Sequence, residues 1–237
     1  MKTLHFISIC LSLVLLLLLP NPGHAAGISP EESDRIIKGM YSRYIPIYLK
    51  YRGVESTSKN ISREYDAGTN ALKSTTEVTL HRKDYFYEDP EVKALSFRKD
   101  GRDRDPSDYR SRDSKPGYLV FDRKGAEHYT LKIVDRKVIG KRECYRIVVT
   151  PKKATARHFK GEIFCAVDTL DVVHTAGEAG DLEFPIKHFW ASFDFTQVNK
   201  VPVVQSGTIK IQVDVPVVYP DTLIVTDIAI VESRLIE

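Results

Sequence analysis

Cysteine, methionine and tryptophan are scarce in this chain, with three, two and one copies. One cysteine, Cys10, falls in an apolar leader, which leaves Cys144 and Cys165 in the remainder. Two cysteines are too few for the dense disulfide framework that holds small secreted domains together. The histidines outside the leader are His81, His128, His158, His174 and His188. No pair of them has the i, i+4 spacing of a helical zinc site, and none neighbours a cysteine, so no metal is expected. There is no G-x-S-x-G elbow, no phosphate-binding loop and no nucleophile with a base beside it. A non-catalytic protein without cofactors is the expectation. An enzyme built from scattered Asp and His side chains is the less economical reading. A formal net charge of +3 is too small to argue for nucleic acid. Beyond the leader, no apolar run approaches the roughly 20 residues of a membrane span.

The leader itself is informative. Lys2 gives a positive start, Leu4–Leu19 an apolar run, and Gly23-His24-Ala25 small residues at −3 and −1 of a cut after Ala25. This pattern predicts a secretory signal peptide over 1–25, hence export. The expected mature chain, 26–237, has the size of one sheet-rich domain. Its hydrophobic content of 42% and charged content of 28% are those of an ordinary folded domain.

Ser29-Pro30-Glu31-Glu32 reads as a helix start, with Ser29 as N-cap and Pro30 at N1. Ile36, Ile37, Met40, Tyr41 and Tyr44 follow at helical spacing, and Pro46 should end or kink the helix near Ile45. The stripe has too few cations beside it for a membrane-surface helix. From Tyr48 the period is two. Tyr48–Asp66 and Ala71–Tyr87 read as long strands, and Glu91–Phe97 as a further one. Asn60-Ile61-Ser62 matches a glycosylation acceptor, relevant only in a glycosylating source. Arg98–Gly117, with seven basic and five acidic residues, reads as a solvated loop. Tyr118–Phe121, His128–Val134 and Lys137–Ile139 are short strand candidates. Tyr145–Thr150, Phe159–Val167 and Leu170–Thr175 form a meander. Ala176–Asp181 reads as a flexible connection. Phe184–Val198, Val201–Val204, Thr208–Val218 and Leu223–Ile230 complete eight to eleven strands with no βαβ alternation.

Register decides the cysteines, because a one-residue slip turns every side chain to the other face. Pairing the apolar faces sets Tyr145, Ile147 and Val149 opposite Cys165, Ile163 and Gly161, with Cys144 pointing away. The shifted register would permit a disulfide, and both remain open at this level.

A sheet this long with one helix has two solutions. It folds into a sandwich, or it curls around the helix and leaves a hollow. The inward apolar residues that would line a hollow are Ile147, Val149, Ile163, Phe189, Phe193 and Phe195. Plain core is the competing role for the same residues.

The meander adds a resemblance. It carries Pro151-Lys152-Lys153, then Phe159-Lys160-Gly161-Glu162-Ile163-Phe164, then Asp168 and Val172-Val173-His174, with Val198-Asn199-Lys200-Val201-Pro202 downstream. In these features the chain resembles the periplasmic outer-membrane lipoprotein-sorting family, the LolA/LolB-like proteins, over about Glu143–Pro202. It departs from that pattern at Phe164, where Trp is usual, at Ala166, where Asp is common, and at His174, where Arg is usual. The resemblance implies a mainly β fold: a strongly curved antiparallel sheet forming an unclosed barrel, with the N-terminal amphipathic helix packed in or across its hollow. It also implies an acyl-chain or lipoprotein-like ligand. An envelope-stress sensor or protein-interaction module on the same fold, engaging an envelope protein transiently, is the alternative.

Overall fold

The computed structural model describes residues 28–110, 117–215 and 219–237. The expected signal peptide over 1–25 and the tip of the charged loop lie outside the described residues. Helix α1 spans Pro30–Lys50. Strands follow as β1 (Gly53–Asp66), β2 (Leu72–Tyr85), β3 (Glu91–Lys99) and β4 (Arg102–Arg104). A short 3-10 turn (Pro106–Asp108) and helix α2 (Gly125–His128) precede β5 (Tyr129–Ile139), β6 (Arg142–Pro151), β7 (Phe159–Ala166) and β8 (Val172–Ala179). The chain ends with β9 (Ile186–Val198), β10 (Val201–Val215) and β11 (Tyr219–Ile236).

All eleven strands join one antiparallel sheet in the order β4-β3-β2-β1-β11-β10-β9-β8-β7-β6-β5. The first strand pairs with the last, Gly53 opposite Ile236, so the two ends of the sheet sequence meet in its middle. Strands β4 and β5 are left as unpaired edges, and the barrel is not closed. Bulges between Thr57 and Ser58 and between Val204 and Ser206 interrupt the central pairings. Such bulges bend a strand and increase its twist.

Helix α1 starts as its residues dictate. The Ser29 hydroxyl accepts from the Glu32 N–H at 3.1 Å, Pro30 opens the first turn, and Glu31 and Glu32 face the positive end of the helix dipole. Its stripe of Ile36, Met40 and Tyr44 is buried against Ile133, Tyr145, Ile147, Ile163 and Val172 of β5–β8. The Tyr44 hydroxyl accepts from the Val172 N–H at 2.9 Å and donates to the Leu170 carbonyl at 3.2 Å. Burial pushes its phenol up to about 12. Arg43 pairs with Asp171, and Glu32 with Arg136 at 3.0 Å.

Several sequence expectations are corrected here. The helix runs through Pro46 to Lys50, and Tyr48 is helical rather than extended. A proline removes one intrahelical hydrogen bond. The turn beyond it is held from outside, by Tyr48 packed edge-on to Phe86 at 4.9 Å and by Ile47 and Tyr51 against Val201 and Val203. Lys137–Ile139 is continuous with the preceding strand, and Val201–Val204 with the following one. Residues 118–121 are irregular chain leading into a turn at 120–121, instead of a strand. Ala176–Ala179 belongs to β8 rather than to a flexible link. Its Gly177 lies opposite Gly161, and a Cβ on it would meet the Phe159 ring at 2.6 Å, so glycine here marks a close approach inside a strand.

The meander has the apolar-face register, with Tyr145, Ile147 and Val149 opposite Cys165, Ile163 and Gly161. Cys144 pairs with Ala166 and points to the other face, and both thiols are free and buried. Burial raises the pKa of each. Neither thiol should react with an aqueous thiol reagent in the native mature protein, and two per chain should react in denaturant; reagent titration with and without denaturant measures this. Truncating Ile147 to alanine, at the fully buried centre of the helix–sheet contact, should cost roughly 2–5 kcal/mol in a urea unfolding titration.

Candidate functional site

A hollow lies on the inner face of the sheet, beside the part that the buried stripe of α1 covers. Its volume is about 540 Å³. Register explains its lining, since side chains two apart on a strand share a face. From β9, β10 and β11 come Phe193, Val203, Val204, Ile209, Ile228 and Ile230, an apolar wall. From β1 and β2 come Ser56, Ser58, Asn60, Arg82 and Asp84, a polar one. Phe86, Pro90 and Leu119 contribute at other points of the lining.

Arg82 and Asp84 form a two-point ion pair, Nη2 to Oδ1 at 2.7 Å and Nε to Oδ2 at 3.1 Å. The carboxylate raises the Arg82 pKa, and the pair adds no net charge to the wall. Gly207, opposite Phe193, leaves room for the ring: a Cβ there would meet Phe193 Cδ1 at 2.3 Å. The ring therefore occupies the space over the glycine backbone. Asn60 lines the cavity, so its acceptor triplet faces the interior of the fold.

A ring cluster holds the segment that supplies Gly117 and Leu119 to the lining. Between them, Tyr118 stacks on His128 at 4.1 Å and lies 4.5 Å under the Arg157 guanidinium. His158 touches the same ring at 4.6 Å, and its Nδ1 is 2.7 Å from Thr155 Oγ1. His158 Nε2 lies 3.4 Å from His128 Nδ1. The Tyr129 hydroxyl donates to the Tyr118 carbonyl at 3.0 Å and accepts from the Phe159 N–H at 3.2 Å.

The residues singled out from the sequence separate into groups. Ile147, Val149 and Ile163 lie in the packed core under α1. Phe189, Phe193 and Phe195 share the inner face of β9, with Phe189 opposite Ile211. Of these three, Phe193 lines the cavity and Phe195 packs against the helix-covered core. The β1 and β11 contributions were not anticipated. Their signal was the alternation through Ile228 and Ile230, which does not say which strands the helix leaves uncovered. Among the described residues no three His, Cys, Asp or Glu side chains are grouped to hold a metal ion, and no helix is long and apolar enough to cross a membrane.

No family model matches the chain, and no curated protein does. Several solved structures are similar to this chain at low identity. A LolA superfamily protein from Nitrosomonas europaea is 9% identical, with 85% of this chain and 94% of that chain covered and a TM-score of 0.42. A putative outer membrane lipoprotein-sorting protein domain from Vibrio parahaemolyticus is 10% identical, covering 87% of this chain and 93% of that one with a TM-score of 0.44. A DUF1329 family protein from Desulfovibrio piger is 13% identical, with 84% and 92% covered and a TM-score of 0.39. At these identities and superpositions the three assign this chain no function.

The His158 environment has a consequence for acid stability. Burial, then His128, Arg157 and Lys153, lower its pKa. The unfolded chain takes up a proton near pH 6.5, whereas the folded chain resists it to a lower pH. The native state is therefore favoured above about pH 6.5 and loses this contribution as pH falls below it. In urea melts at pH 7.5 and 5.5, the loss of midpoint on acidification should be smaller in His158→Gln than in the wild type.

Proposed function

We propose that this chain is an exported, periplasmic, non-catalytic binding or carrier protein for a lipid-like or acylated ligand. The observation that carries this function is the half-open hollow of about 540 Å³ on the inner face of the sheet, walled by Phe193, Val203, Val204, Ile209, Ile228 and Ile230. That volume is within the range of small-molecule sites. Each chain methylene taken from water into such a wall contributes about 0.8 kcal/mol. The unclosed barrel leaves a route of entry, and the leader read from 1–25 supports export.

Titration of the mature protein with a fluorescent fatty-acid probe tests this. Saturable binding at one probe per chain is expected. Ile209→Glu sets a carboxylate in the apolar wall and should weaken binding more than tenfold, with an unchanged circular dichroism spectrum. Absence of saturable binding by the wild type would overturn the carrier function and favour a protein-interaction module on the same fold.

A further inference from the structure

Two buried polar atoms on residues of the cavity lining have no hydrogen-bond partner among the described residues. Ser58 is 1% exposed and its Oγ is unpaired, and Asn60 presents an unpaired buried Oδ1 two residues further along β1. Both residues line the cavity. Ser58 lies between Leu80 and Ile230, and Asn60 between Val78 and Ile228, so the adjacent strands offer them only apolar side chains. Arg82 and Asp84, the charged groups of the same wall, are bonded to each other. Buried polar atoms are nearly always paired, and an unpaired one is costly in proportion to its burial. A pair of them on one wall of an otherwise apolar hollow is the complement of a ligand that is apolar along most of its length and polar at one place.

The chemistry of the two atoms narrows that polar group. Asn60 Oδ1 accepts, and the Ser58 hydroxyl both donates and accepts. Residues two apart on a strand stand about 7 Å from each other. One trans amide spans such a gap with an ordinary hydrogen bond at each end. Resting on the ligand-binding function proposed above, we infer that the cavity takes an acyl chain joined to its head group through a secondary amide. Both atoms are closed to water when the hollow is empty, so the two side chains turn toward the ligand as it enters; the amide N–H then donates to Asn60 Oδ1, and the amide carbonyl accepts from Ser58 Oγ. The chain lies along Phe193, Val204 and Ile209. A plain ester offers Ser58 the same acceptor but leaves Asn60 Oδ1 unpaired, so the site distinguishes the two linkages.

Displacement of the bound fluorescent fatty acid by N-methyldodecanamide and by methyl dodecanoate, two compounds that differ in N–H against O, tests the inference. The wild type should bind the amide at least fivefold more tightly than the ester. Asn60→Ala should bring the two within twofold, mainly by weakening the amide. Ser58→Ala should weaken both by a similar factor. Ser58→Ala removes an unpaired atom, so its melting temperature should equal or exceed that of the wild type. Equal affinities in the wild type, failure of both compounds to displace a bound probe, or an amide preference that survives Asn60→Ala would overturn the amide assignment while leaving lipid binding in place. Failure of the fatty-acid probe to bind at all would overturn both.

Discussion

One helix has to cover the inner face of an eleven-stranded sheet, and the rest of the molecule follows from that mismatch. Neighbouring strands stand about 4.8 Å apart, so the sheet is roughly 50 Å across before it curls. A helix of 21 residues is about 31 Å long and 10–12 Å wide. Curling brings part of the inner face onto the helix, and Ile36, Met40 and Tyr44 seal β5–β8 there. Tyr44 ties the two layers by a polar contact as well, because its hydroxyl meets the backbone at the β7–β8 turn. The last turn of the helix reaches one end of this face, at Val201 and Val203 of β10; the rest of the inner face of β1, β10 and β11 lies beyond it, and the hollow forms there.

That uncovered region differs from the covered one in chemistry. Beneath the helix, the inward residues of β6 and β7 are Tyr145, Ile147, Val149, Ile163 and Cys165, all closely packed. At the hollow, the inward residues of β1 are Ser56, Ser58 and Asn60, facing a lining of valine, isoleucine and phenylalanine from the last three strands. A strand devoted only to core packing has no reason to carry three polar residues inward. The glycine–aromatic contacts serve the same division: Phe159 covers Gly161 and Gly177 in the packed half, and Phe193 lies over Gly207 at the cavity. In each case the missing side chain makes room for a ring on a pleated surface.

Edges and connections are handled by local chemistry. The Tyr118 segment is held by stacking and backbone bonds among His128, Arg157, His158 and Tyr129 rather than by sheet pairing. This explains how a stretch with apolar composition, Tyr118–Phe121, is held in place without joining the sheet. Of the N-terminal hairpin, β1 pairs with β11, so this pairing links residues far apart in sequence.

Local chemistry alone determined the start of α1 and the alternation of the long strands, and it narrowed the central meander to two registers, of which the structure has the apolar-face one. Capping, period and apolar-face matching act within a few residues or between adjacent strands. The free state of Cys144 and Cys165 follows from that register, since neighbouring positions on a strand face opposite ways. Tertiary structure decided the rest. The helix passes Pro46 because Phe86, Val201 and Val203 hold its last turn, and those partners lie 40, 155 and 157 residues further along the chain. Glycines 161 and 177 are strand residues because an aromatic ring from the same strand, Phe159, covers them once β7 and β8 pair. The inward faces of Ile147 and Phe193 were legible from alternation, but their separate surroundings, packed core and cavity wall, depend on which strands one helix is long enough to cover.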